Sequence, residues 1–234
     1  MKAGPIICFA LTALLAAFCA RSAWADLYWE TESVSTNLSG KQSKTSIQKY
    51  YFTPRALRVE LGGSKVYIVD YDAMELHSLD TRAKTCTDLN LTELPGLSGV
   101  SAADKNKAAE IMGAMMAIQV TPTDELKIIA GYKCRRFNVR IAIINGEYWV
   151  SEDVGGYREL KSVGAKVGAI AERNPMLRQV DVAGMVEKLG GFPVYTVNHL
   201  MGETVASTLR KIEQKSLDPA LFVVPEGYAV KKSM

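Results

Sequence analysis

Histidine is nearly absent from this chain: there are two in 234 residues, His77 and His199. Neither has a second histidine at the spacing of His-Glu-x-x-His or a related zinc signature, so each reads as an ordinary strand histidine. No metal and no cofactor is expected. Nucleophile motifs are missing too. Ser46-Ile-Gln-Lys49 matches Ser-x-x-Lys by letters alone, because Lys44 to Phe52 alternates as a strand and the companions Ser-Asp-Asn and Lys-Thr-Gly do not occur. Gly96-Leu-Ser-Gly99 is one residue short of a nucleophile elbow, and Gly62-Gly-Ser-Lys65 lacks the spacing of a phosphate loop. Carboxylate pairs do occur, Glu30 with Glu32 and Asp70 with Asp72. Period-two spacing sets each pair on one strand face, where like charges turn to water instead of converging on a substrate. The expectation is a protein that is not an enzyme.

A strong charge of either sign is also lacking, as is any long apolar run after the first 25 residues. The apolar stretch Ile6 to Cys19 is about fourteen residues, short of the roughly 20 that a spanning helix needs. Lys2 precedes it and Ala23-Trp24-Ala25 follows, the pattern of a secretory signal peptide with cleavage after Ala25. A retained anchor and lipidation at Cys19 are the alternatives; Phe18 stands where lipidation calls for a small residue. Export to the periplasm follows for a single domain over 26–234. Of 28 Lys and Arg, Lys2 and Arg21 fall in the leader, leaving 26 against 25 Asp and Glu. A chain so balanced has no field with which to hold nucleic acid. Lys133, Arg135, Arg136 and Arg140 make the densest basic stretch, read as decoration of an exposed sheet side.

Cysteine is scarce after the leader. Cys86 and Cys134 remain, and in an oxidising compartment they are expected to form one disulfide, which would stabilise the fold by roughly 4 kcal/mol. A redox-active pair would need Cys-x-x-Cys spacing, and metal binding lacks partner histidines.

What is present is mostly strand pattern. From Leu27 to Leu89 the chain alternates with period two between turn residues: Leu57, Val59 and Leu61 share one face, and Gly62-Gly63 reverses the chain into Val66 to Val69. An antiparallel meander is predicted. The period then changes. Ser101 to Asp104 reads as a helix start, and Ala108, Ile111, Met112, Met115 and Gln119 follow at spacings of three and four, which predicts a helix over about 102–118. Strands resume over 127–150, where Phe137, Val139 and Ile141 share a face and Asn145-Gly146 reads as a hairpin turn. A second helical region over about 158–189 is broken at Asn174-Pro175 and stopped by Gly190-Gly191. Pro193 to His199 and Thr204 to Glu213 form the last strand pair.

Methionines collect on the helices: Met112, Met115 and Met116 on the first, Met176 and Met185 in the second region. Flexible thioethers suit either a plain core or a lid over an apolar cavity whose occupants vary in shape.

Several short motifs carry a resemblance. Lys49-Tyr-Tyr-Phe52 with Arg58, Val66 to Asp70 leading to Leu79-Asp80, Ile129-Ala-Gly-Tyr-Lys-Cys134, Glu147-Tyr-Trp-Val150, Gly191-Phe-Pro193 and Leu221-Phe-Val-Val-Pro-Glu-Gly-Tyr228 together resemble a bacterial envelope family known as a domain of unknown function, DUF4412-like. Some such proteins are similar to the LolA/LolB lipoprotein carriers. The resemblance implies an α+β fold, an antiparallel half-barrel sheet covered on its concave side by helices, which in the carriers holds acyl chains. It transfers no functional residue.

The expected function is a periplasmic, non-catalytic binding or carrier protein for an apolar or lipid-like ligand. The expected wall is Leu57, Val59, Phe137 and Val139; the expected lid is Ile111, Met112, Met115, Met116, Met176 and Met185. The alternative is an interaction or sensor module that meets another envelope protein through its outer sheet face, with Tyr50, Tyr148 and Trp149 as candidate contacts.

Overall fold

Hydrogen-bonded strands run without closure from one edge of a single sheet to the other. The computed structural model describes residues 26–37, 43–91, 101, 117–141, 144–173, 181–200 and 202–232. Within them the strands are β1 (Leu27–Asn37), β2 (Ser43–Phe52), β3 (Ala56–Glu60), β4 (Lys65–Asp70), β5 (Glu75–Asp80), β6 (Thr85–Asn90), β7 (Ile118–Ile129), β8 (Tyr132–Ile141), β9 (Ile144–Ser151), β10 (Phe192–Leu200), β11 (Glu203–Gln214) and β12 (Ala229–Lys232). Two helices, α1 (Tyr157–Arg173) and α2 (Val182–Leu189), lie between β9 and β10 in the chain. The order across the sheet is β12-β6-β5-β4-β3-β2-β1-β11-β10-β9-β8-β7. Every pairing is antiparallel except that of β12 with β6.

The meander β1 to β6 follows from local chemistry. Asp70 and Asp80 open successive turns in the same way: each carboxylate oxygen accepts two backbone N–H groups, from Asp72 and Ala73 at 2.8 Å and from Arg82 and Ala83 at 3.0 Å. Each turn then closes on a residue in the left-handed region, Met74 (φ 58°) and Lys84 (φ 50°). The carboxylate takes the place of a backbone acceptor, which is why Asp is favoured at this position. Between β3 and β4 the reversal rests on Gly62 and Gly63, both at positive φ.

One sequence expectation in the second half is corrected. Asn145 and Gly146 are not the turn of the β8–β9 hairpin; they lie inside β9, opposite Arg140 and Val139 on one side and His199 and Asn198 on the other. Glycine is needed there for closeness, not curvature: a Cβ on Gly146 would sit 2.7 Å from Asn198 Oδ1 and 3.0 Å from the Val197 carbonyl oxygen. The helix expected over 102–118 falls mostly outside the described residues. β7 begins at the expected end of that helix, where Ile118 pairs with Ile141.

The helices end as their residues dictate. Asp181 caps α2 by accepting the Gly184 N–H at 2.7 Å, and Gly190 stops it in the left-handed conformation (φ 67°), donating to the Val186 carbonyl. On α1, Leu160, Val163 and Ile170 pack with Leu27, Trp29, Phe52, Phe192 and Val194 from the sheet. On α2, Leu189 and Met185 pack with Phe137, Val139 and Val150.

A further cluster lies on the opposite face. Leu57 and Val69, paired across β3 and β4, pack on the helix side, so alternation turns their neighbour Ile68 the other way. Ile68 joins Val66, Leu79 and Cys86 under Phe222, Val224 and Tyr228 of the C-terminal segment. Arg58 fastens that segment by donating to the Leu221 carbonyl at 2.9 Å.

The expected Cys86–Cys134 disulfide is not formed; both are buried free thiols. The reason is sheet order. Cys86 on β6 and Cys134 on β8 lie near opposite edges of the sheet and belong to different apolar clusters. Cys86 Sγ donates to Asp88 Oδ1 at 3.1 Å and Cys134 Sγ to the Tyr132 carbonyl at 3.4 Å.

Candidate functional site

Where α1 crosses the sheet it leaves a groove. The cavity is about 350 Å³ and is walled by β1, β2, β10 and β11 with Leu160 of α1 above. Cross-strand register produces this wall. Trp29 faces Tyr50, Thr31 faces Gln48 and Leu209, and Thr196 faces Ser207, so one side chain from each neighbouring strand points the same way. At the apolar end Trp29 lies flat on Tyr50, with ring centroids 4.7 Å apart and planes 1° from parallel. Phe192 meets Trp29 edge-on at 5.9 Å. Such offset and edge contacts hold the rings beyond what burial alone does.

The groove is not apolar throughout. Thr31, Gln48, Thr196, Asn198 and Ser207 line it as well, and no charged residue does among the described residues. Tyr50 donates to Gln48 Oε1 at 2.7 Å, and burial pushes the Tyr50 phenol above its ordinary range, so it stays neutral. Ser207 and Ser33 hydroxyls share a bond of 2.6 Å. The lining thus offers aromatic and aliphatic area at one end and uncharged donors and acceptors at the other. It can hold an amphiphilic or apolar molecule without an ionic anchor.

The residues expected from sequence are distributed differently. Phe137, Val139 and Met185 do meet, but as a packed cluster under α2. Val139 also borders a cavity of about 380 Å³ whose other walls, among them Gln119, Arg140, Glu147 and His199, are polar. Leu57 packs against the cluster that holds Trp29, and Val59 pairs with Tyr50. Leu61 lies beyond the end of β3 and is exposed. Ile111, Met112, Met115, Met116 and Met176 lie outside the described residues.

The exposed aromatic contacts proposed for the alternative reading are corrected. Tyr50 is stacked in the groove, Tyr148 packs against the α2 cluster and Trp149 is buried. Trp29, Thr31, Phe192 and Leu160 were missed from sequence. A short aromatic run on a strand carries no sign of which neighbour it will face.

The acidic pairs have structural partners. Asp70 closes its turn and Asp72 pairs with Arg55 at 2.8 Å, while Glu30 accepts from the Tyr28 hydroxyl and Glu32 lies 3.8 Å from Arg210. Arg136, from the basic stretch, is bound on both sides, to Glu125 at 2.7 Å and Glu147 at 3.1 Å. Glu159 in the first turn of α1 is buried, with Arg158 3.4 Å from one oxygen. Among the described residues no helix is long and apolar enough to cross a membrane.

An open, mostly antiparallel sheet with a groove beneath a crossing helix defines the class of fold. The chain belongs to the family described as Domain of unknown function (DUF4412), which matches residues 34–228. No curated protein matches it. Among solved structures it is similar to PNGF-II, at 13% identity and TM-score 0.42, over 89% of this chain and 31% of that one. The chain therefore spans about a third of PNGF-II. It is also similar to a LolA superfamily protein from Nitrosomonas europaea, at 8% identity and TM-score 0.36, over 92% of this chain and 97% of that one. The lipoprotein LppX of Mycobacterium tuberculosis is matched at 10% identity and TM-score 0.35, over 92% and 99% of the two chains.

Proposed function

We propose that this is an exported, periplasmic, non-catalytic carrier for an apolar or lipid-like ligand, held beneath α1 on the concave side of a half-barrel sheet. The groove lined by Trp29, Tyr50, Leu160, Phe192, Val194 and Leu209 is the observation that carries this reading. Its uncharged polar end favours a ligand with a neutral polar group. Leu57 and Val59 extend the wall on the same face, whereas Phe137, Val139 and Met185 fill the cluster under α2.

Mass spectrometry of the exported protein, native and then solvent-extracted, tests the proposal. One acyl species per chain is expected, lost in Leu160→Asp while circular dichroism keeps its strand signal. A protein that emerges empty, or one whose lipid survives Leu160→Asp, refutes the assignment.

A second reading, contact with another envelope protein, draws on a different surface from the one expected from sequence. Leu126 and Ile128 on the edge strand β7 are 57% and 75% exposed. An edge strand with outward apolar side chains is a ready partner for another strand. Capture of one protein that is lost in Ile128→Lys would favour it.

A further inference from the structure

The C-terminal segment covers one cluster that the carrier reading does not use. On adjacent strands β5 and β6, His77 stands directly opposite Asp88, and Cys86 stands opposite Leu79, one pair further along the same face. A nitrogen, a sulfur and an oxygen therefore meet on one patch of sheet. His77 Nδ1 is 2.8 Å from Asp88 Oδ1, Cys86 Sγ is 3.1 Å from the same oxygen, and all three donor atoms lie within 4.8 Å of one another.

We propose that His77, Cys86 and Asp88 bind a thiophilic divalent cation of the zinc class. Tetrahedral coordination, with metal–nitrogen and metal–oxygen bonds of about 2.0 Å and a metal–sulfur bond of about 2.3 Å, sets ligand atoms roughly 3.3 to 3.5 Å apart. The separations of 2.8 and 3.1 Å from Asp88 Oδ1 fall a few tenths of an ångström short of that range, and the remaining pair lies within 4.8 Å, so small side-chain rotations admit the ion. A thiolate with an imidazole selects zinc-like ions over calcium or magnesium, which prefer all-oxygen shells.

The surroundings fit. Glu75 Oε2 lies 4.0 Å from His77 Nε2, and its exposed side chain would need to close by about an ångström to accept from that nitrogen, as carboxylates commonly do behind a ligating histidine. Cys86 is buried beneath the C-terminal segment, while the side chains of His77 and Asp88 are 16% and 21% exposed. The sulfur is shielded and the other two ligands face outward, which leaves access for the ion and a fourth position for water. A nucleophilic role for Cys86 does not fit: burial and Asp88 push the thiol up to about 12, and the neighbour that receives its hydrogen bond is an acid. A metal displaces that proton directly and binds the thiolate. Sequence inspection missed the site because its spacing, Cys-x-Asp on one strand and histidine on the next, matches no contiguous motif.

The test uses the full chain, stripped with chelator under reducing conditions and titrated with Co²⁺ alone. One Co²⁺ per chain is expected, with a thiolate-to-cobalt charge-transfer band that Zn²⁺ abolishes. Cys86→Ser should remove the band. His77→Gln and Asp88→Asn should weaken binding by at least about 100-fold, since losing even the groups behind a ligand costs roughly 10 to 100-fold. Cys134→Ser should leave band and affinity unchanged. Absence of the band in the unaltered protein, its survival in Cys86→Ser, or equal loss in Cys134→Ser overturns the site. Should Cys86→Ser fail to fold, the partly exposed His77→Gln decides: unaltered affinity in that variant overturns the site as well.

Discussion

Along β4, two neighbouring residues are covered by different means. Val69 turns toward the helices and packs with Leu57 into the cluster of Trp29 and Phe52; Ile68 turns away and is covered by Phe222, Val224 and Tyr228. The same sheet thus has two roofs. A helix with its side chains is about 10 Å across and touches a twisted sheet along a stripe only, so space remains beside it. An extended segment follows the sheet surface more closely. The groove lies beneath α1 on one side of the sheet, and the cluster of His77, Cys86 and Asp88 adjoins the C-terminal segment on the other.

The difference can be broken most forcefully from the helix side. Phe52 is 1% exposed and bridges β1, β3 and the helix-side cluster. Phe52→Ala should cost about 3 to 5 kcal/mol in urea unfolding, through lost transfer energy and the cavity left behind. A loss below about 1 kcal/mol would mean that this side is not the main core.

On the strap side, Arg58→Ala removes the hydrogen bond to the Leu221 carbonyl and the 2.9 Å pair with Glu60. A loss of about 1.5 to 3 kcal/mol is expected. Protease cleavage should accelerate within 217–228 while lipid retention is unchanged. If ligand is lost as well, the two roofs are coupled and the comparison fails.

The thiols sharpen the contrast further. Cys86→Ala and Cys134→Ala should each cost about 1 kcal/mol, and the double variant should give the sum within about 0.5 kcal/mol, because the sites lie in separate clusters. A disulfide would instead make the second substitution nearly free.

Smallest is the effect of Asp80. Hydrogen bonds from the Ala83 N–H and from Lys65 hold its carboxyl at about 2, against an ordinary 3.8. A depressed acid stabilises the fold above 3.8 and loses that contribution as pH falls toward 2. Asp80→Asn should therefore melt slightly lower at pH 7, with the gap to the unaltered protein closing between pH 4 and pH 2. A constant gap across that window would assign the effect to shape instead of charge.

Much of the architecture could be read from residues. The β1 to β6 meander, the Gly190 stop of α2 and the final hairpin around Gly202 all rest on alternation and turn chemistry within a few residues; the break expected at Asn174-Pro175 lies outside the described residues. Asn145-Gly146 misled because the same pair that suits a turn also suits a strand where a neighbouring side chain presses on the backbone. The candidate site was less legible. Phe137, Val139 and Met185 pack together under α2, whereas the groove belongs to Trp29, Tyr50 and Phe192, whose meeting depends on β11 and β10 lying next to β1.

By itself, then, the sequence determined the strands β1 to β6 with their turns and the glycine stop of α2, since these depend on contacts only a few residues apart. Only the tertiary structure decided which face each roof covers, that the two thiols lie apart and that His77 has Cys86 and Asp88 beside it. Those outcomes depend on strand order and register, and a shift of one residue in register would send every one of these side chains to the other face.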